Sequence, residues 1–251
     1  MTLLPRIGWD TRLGSLNAFY GLDRRLRFRD RVVTPGESLD RAIREVSAGG
    51  SDPDGARICL APGKYYIRGR SPMEISNNNI HIYAASPGQS IIRRVDDSDI
   101  RTAFSVTGSN CSISGVAFED TNPTAAGHRG ATVAVNGDRF SIFNCVFTSC
   151  RTAITVSGEY VSIRNNRIVA VSQTDYAVEL LGTTLLSSPT AFASVHGNII
   201  EDATLSASIY AHNGISKSSF VGNVCASTVA ISYKNGQNNV NAGNVGTVTE
   251  R

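Results

Sequence analysis

Along most of the chain, short apolar–polar alternations recur, each closed by a bend. One eight-residue unit reads CSISGVAF at 111–118, FSIFNCVF at 140–147, VSIRNNRI at 161–168, ASVHGNII at 193–200 and SSFVGNVC at 218–225. A weaker copy, NVNAGNVG, starts at Asn239. The third position is Ile113, Ile142, Ile163, Val195 and Phe220, apolar each time. The fifth is Gly115, Asn144, Asn165, Gly197, Gly222 and Gly243. Glycine and asparagine tolerate a left-handed backbone, so a sharp bend is expected at that point of every unit. The sixth is Asn166, Asn198, Asn223 and Asn244 in the later copies. Stacked asparagines can hydrogen-bond one another as a ladder.

A second unit lies between copies of the first: AFSVTG at 103–108, TVAVNG at 132–137, AITVSG at 153–158, AVELLG at 177–182 and AISYKNG at 230–236, with a looser SIYAHNG at 208–214. Each is a short alternating strand ending in a glycine turn. Constant units with variable spacers predict a parallel β-solenoid, one coil per repeat. Coils then stack at about 4.8 Å, so like residues lie on like residues. ARICLAPGKYYI at 56–67 and NIHIYAAS at 79–86 extend the stack to seven or eight coils. A sandwich needs no bend at one fixed place per unit, and a helical repeat needs a 3.6-residue period that is absent.

Ahead of the strands, TPGESLDRAIREV at 34–46 places Leu39, Ala42, Ile43 and Val46 on one helical face, with Ser38 as N-cap. Such a helix would cover the open end of the first coil, which a solenoid must cap. The predicted organisation is an arm over 1–33, a capping helix and loop over 34–55 and the solenoid over 56–251.

Composition fits a single globular core: 251 residues, 41% hydrophobic and 18% charged, with a net charge of +3. That charge is too small to argue for nucleic acid. No apolar run is long enough to span a membrane, and the start of the chain lacks the apolar run of a signal peptide. Five cysteines, Cys59, Cys111, Cys145, Cys150 and Cys225, sit in strand-like runs and are read as core thiols of a chain made in a reducing cytosol.

ESLDRAIREV, APGKYYI and the recurring xSIxxNxF coils resemble the right-handed parallel β-helix proteins of the pectate-lyase-like superfamily. The likeness covers residues 34–251. It implies an all-β, single-stranded right-handed parallel β-helix with an N-terminal capping helix. It does not fix function, because that superfamily holds polysaccharide lyases, hydrolases, epimerases, phage tailspikes and non-enzymatic virion proteins.

Two functional readings follow. In the first, the chain resembles a shortened tailspike. It would be a structural virion protein of a tailed bacteriophage: a capsid decoration or cement protein, trimeric by that resemblance. It would be made in the host cytoplasm and carried on the capsid surface in preference to the tail. Its arm would dock on the major capsid protein through Trp9, Arg12, Leu16, Phe19, Tyr20, Arg24, Arg25, Arg27 and Arg29, since aromatic and arginine anchors are what interfaces favour. In the second, the rod acts on host surface polysaccharide, as a depolymerase or as a non-catalytic receptor-binding protein. Neither reading calls for a cofactor, a metal, nucleic acid or membrane insertion.

For cleavage, paired carboxylates about 5 to 9.5 Å apart, or a base with a metal, are sought. Aligning 91–97 with 115–120 sets Asp96 and Asp97 beside Glu119 and Asp120, with Asp99 near, so Asp97, Asp99, Glu119 and Asp120 are the enzymatic candidates. A solvated acidic corner balanced by Arg93 and Arg94 is the plainer reading and is preferred, which leaves no favoured catalytic residue. His81, His128, His196 and His212 are scattered, with His81 and His196 expected to point outward.

Overall fold

A computed structural model describes residues 30–48, 55–68, 71–94, 102–119, 131–150, 152–171, 176–181, 192–201, 207–212, 215–233 and 239–250. Its strands form three ladders that run the length of a parallel β-helix. The first comprises Arg31–Val33, Ala56–Leu60, Ile80–Ala84, Ser112–Ser114, Ser141–Phe143, Ser162–Arg164, Ser194–His196, Ser219–Val221 and Val240–Ala242. The second runs from Gly63–Ile67 through Ser90–Arg94, Ala117–Glu119, Val146–Cys150 and Arg167–Val171 to Ile199–Glu201. The third runs from Met73–Ile75 through Phe104–Val106, Ala131–Val135, Thr152–Val156 and Tyr176–Leu180 to Ala207–Ala211. The long strand Val224–Tyr233 belongs to both the second and the third ladder and joins them.

The expected interior column is present. Ile82, Ile113, Ile142, Ile163, Val195 and Phe220 pair in succession, and each is fully buried. In the second ladder Tyr65, Ile92, Phe118, Phe147, Ile168 and Ile200 form the matching inward column. Phe118 stacks on Phe147 with centroids 4.8 Å apart and meets Phe104 of the third ladder edge-on at 5.9 Å. With Met73, Phe104, Val133, Ile154, Val178 and Ile209 of the third ladder, three apolar columns face one another across the bore, and burial of that surface is the main stabilising term.

The asparagine ladder fills the bend after the first ladder. Asn166 Nδ2 donates to Asn198 Oδ1, Asn198 Nδ2 to Asn223 Oδ1 and Asn223 Nδ2 to Asn244 Oδ1, at 2.9–3.0 Å. Each Nδ2 also donates to a carbonyl, of Ile142, Ile163 and Val195 in turn. Each Oδ1 also accepts a backbone N–H. These buried amides are satisfied, which is what permits polar side chains inside the rod. Cys145 takes the same place one coil earlier, and burial pushes its thiol up to about 12. All five cysteines are free and buried, as expected.

The glycines that close the second unit have a steric cause. A Cβ at Gly137 or Gly158 would collide with the carbonyl oxygen of Gly108 or Gly137 in the preceding coil. Only glycine lets these turns stack at the interstrand spacing.

Helix α1 spans Leu39–Ala48 and buries Leu39, Ala42, Ile43 and Val46 against the first coils. Ser38 Oγ accepts from the Arg41 N–H at 3.1 Å, as an N-cap does. One boundary differs from expectation. Arg31–Val33, assigned to the arm, is the first strand of the first ladder, in register with Ile58–Leu60. Val33 is fully buried, and Arg31 forms an ion pair with Glu45 of α1. Burial of Val33 and the Arg31–Glu45 ion pair with the capping helix hold this short strand in the sheet.

Candidate functional site on the third ladder

The outer face of the third ladder carries one row of side chains: Glu74, Ser105, Ala134, Thr155, Glu179 and Tyr210. In the strand YAVEL, Val178 and Leu180 point into the bore, so alternation turns Glu179 outward. Tyr210 follows by the same rule in ASIYA. His212 comes just after that strand, and its backbone N–H bonds the Leu180 carbonyl. This sets the imidazole diagonally beside Glu179 of the previous coil.

His212 Nε2 lies 2.8 Å from Glu179 Oε1, and the two side chains are only 21% and 23% exposed. A carboxylate only accepts, so Nε2 carries the proton that faces Glu179, and in the neutral ring Nδ1 is left with the lone pair. Tyr210 meets the imidazole edge-on at 4.6 Å. Tyr176, in register with Ala207 of the next coil, stacks on Tyr210 with centroids 4.2 Å apart. Tyr210, backed by Tyr176, thus packs against a carboxylate-oriented imidazole on the outer face of this ladder. Such a group can take or give a proton.

The acidic candidates fare differently. Register pairs Glu119 with Arg93, not with Asp96, so the expected alignment is three residues out. The core decides this: Ile92 must lie on Phe118 inside the bore, which sets Arg93 beside Glu119. Asp97, Asp99 and Asp120 lie outside the described residues, as do His128 and every arm anchor from Trp9 to Arg29. Glu201 is bound by Arg167 through two 2.9 Å contacts, which lower its carboxyl below the usual range. His81 and His196 do point outward, each 2.9 Å from a serine hydroxyl, of Ser112 and Ser219. Among the described residues no group of three His, Cys, Asp or Glu could hold a metal ion, and no helix is long and apolar enough to cross a membrane.

The Glu179–His212 pair escaped the sequence reading. Its partners are 33 residues apart in different repeat units, and only the diagonal between coils joins them.

No family model matches the chain, and no curated protein matches it. Solved structures do. The catalytic domain of a GH87 alpha-1,3-glucanase in complex with nigerose superposes with a TM-score of 0.52 at 14% identity, over 86% of this chain and 40% of that one. The PL6 family alginate lyase AlyGC gives 0.54 at 13% identity, over 88% of this chain and 39% of that one. The Streptococcus pneumoniae surface protein and adhesin PfbA gives 0.56 at 11% identity, over 81% and 67%. This chain spans about 40% of the length of the first two. At such identities the likeness is one of fold, and it agrees with the parallel β-helix expected from the repeats.

Proposed function

We propose that the chain is a glycan-engaging β-helix, with a sugar polymer lying across the third ladder at Tyr176, Glu179, Tyr210 and His212. The half-buried Glu179–His212 pair carries this reading, since it is a proton-transfer group set on an outer sheet face beside the stacked rings of Tyr210 and Tyr176. The fold neighbours that act on α-1,3-glucan and alginate support a sugar polymer as ligand. Within the described part of this face the next carboxylate along the row is Glu74, four coils away, or roughly 19 Å at the interstrand spacing. A paired-carboxylate hydrolysis is therefore not what these residues suit. A histidine base oriented by a carboxylate suits proton abstraction from a sugar carbon, with Nδ1 as the acceptor. Attachment to a capsid through the arm is supported by the arm's sequence alone.

The test incubates the full chain with bacterial surface polysaccharides, a neutral glucan and uronate polymers. Binding is read by affinity electrophoresis, and cleavage by new reducing or unsaturated ends. Cleavage that falls about a hundredfold or more in both His212→Ala and Glu179→Gln supports a depolymerase. Binding without cleavage, weakened by Tyr210→Ala, assigns a receptor-binding rod. Wild-type protein that neither binds nor cleaves any polymer contradicts the proposal.

A further inference from the structure

The outer face of the first ladder carries a different set of groups. Five serines, Ser112, Ser141, Ser162, Ser194 and Ser219, stack in register along it. Two residues before each serine in the last four coils stand Arg139, Tyr160, Phe192 and Lys217, and two residues after stand Phe143, Arg164, His196 and Val221. These rows flank a hydroxyl-floored trough that follows the rod axis.

The first flank is built against backbone preference. Arg139, Tyr160, Phe192 and Lys217 have φ between 53° and 56°. The bend on the other side of the same strands meets this requirement with Gly115, Asn144, Asn165, Gly197 and Gly222. Large side chains are poor choices for a left-handed backbone, and such outliers gather where surface groups have a task.

Tyr160 and Phe192 stack with centroids 4.6 Å apart and planes 4° from parallel, and Lys217 Nζ lies 5.1 Å from the Phe192 centroid. The two faces of Phe192 are therefore taken by Tyr160 and Lys217. What the stack offers outward is ring edge, the positive rim of the aromatic quadrupole. Tyr160 is 50% exposed and Phe192 37%. Across the trough the Arg164 guanidinium sits 5.8 Å from the Phe143 centroid. Arg139, Arg164 and Lys217 form no ion pair with a described residue. No described carboxylate stands in the three rows between Arg139 and Val221; Asp138 and Glu159 lie outside the first flank.

We propose that this trough is a second binding surface, for an acidic polysaccharide lying along the rod. It is separate from the Glu179–His212 face and rests on the preceding reading only in taking a sugar polymer as ligand. Cations and ring edges select the anionic groups, and the serine column meets the sugar hydroxyls. Three cations over four coils, with two acids alongside, are too sparse for nucleic acid, which carries one charge per ~1.7 Å.

The test measures retardation of the full chain in gels containing alginate, polygalacturonate or hyaluronan, and their carboxyl-reduced forms. It compares wild type, the triple variant Arg139→Gln/Arg164→Gln/Lys217→Gln, and a control, Lys64→Gln/Arg68→Gln, on other faces. Urea midpoints confirm that all three are folded. The expected result is retardation by an acidic polymer and not by its reduced form, unchanged in the control. In the triple variant binding is about tenfold weaker and its salt dependence shallower. Equal binding of reduced polymers, or wild-type affinity in the triple variant, overturns this inference and leaves the sugar-polymer reading standing. Failure of wild type to bind any polymer overturns both. Tighter retention by single-stranded oligothymidine than by every polysaccharide overturns the inference in favour of nucleic acid.

Discussion

Asn198 donates from Nδ2 to Oδ1 of Asn223, one coil further along the rod, at 2.9 Å. That bond is one link in a column in which every amide serves both the next side chain and a backbone carbonyl. Truncating a middle member leaves buried donors and acceptors unmet on both sides. Asn198→Ala should therefore cost about 3 kcal/mol, whereas Asn244→Ala, at the partly exposed end of the column, should cost about 1 kcal/mol. Urea unfolding midpoints of the two variants check the difference. Equal losses would mean that the column is not a cooperative element.

Phe118 is the hinge of the aromatic cluster inside the bore, touching Phe104 and Phe147. Phe118→Ala should cost about 3–5 kcal/mol, because the packed columns around it cannot collapse into the void. Phe143, outward on the first ladder, is only half-buried, and Phe143→Ala should stay within roughly 1 kcal/mol. Similar losses in the two variants would reverse the inside–outside assignment.

The raised thiol of Cys145 has a kinetic consequence. A group pushed up to about 12 by burial holds almost no thiolate near neutral pH. Cys145 should resist alkylation in the native protein and react at once in denaturant. Mass-resolved labelling with iodoacetamide measures this, and rapid native labelling of Cys145 would place it on the surface.

His81 is held below its ordinary value by burial and by Arg57, with Asp30 offsetting part of the effect. The unfolded chain thus takes up this proton at a higher pH than the folded one. Its contribution to stability is complete above about pH 6.5, declines as pH falls through that value, and stops declining below the folded value. The slope from this group stays under about 1.4 kcal/mol per pH unit. His81→Gln should flatten the dependence of the urea midpoint between about pH 7 and pH 5, and an unchanged slope would remove His81 from the account.

The coil interior was legible in sequence because each of its columns repeats one residue type at one place. Ile113, Ile142 and Ile163 recur at the third position and Asn166, Asn198 and Asn223 at the sixth, so stacking them needed only the period. The register of 91–97 was not legible by charge. The described charges there, Arg93 and Glu119, lie on the outer face, and only the inward pair Ile92 and Phe118 fixes the alignment. The strand at Arg31–Val33 carries no repeat unit and is held by a helix that follows it in sequence. The left-handed flank of Arg139, Tyr160, Phe192 and Lys217 gave no turn signal, since none of these residues marks a bend. Glu179 and His212 meet on a diagonal that no single repeat displays.

The most direct measurement is a crystal structure of the full chain soaked with an oligosaccharide from whichever polymer it binds. A sugar ring is expected against Tyr210 and His212, with a sugar carbon or hydroxyl within hydrogen-bond reach of His212 Nδ1. Sugar bound solely on other faces, with the Glu179–His212 surface bare, would contradict it.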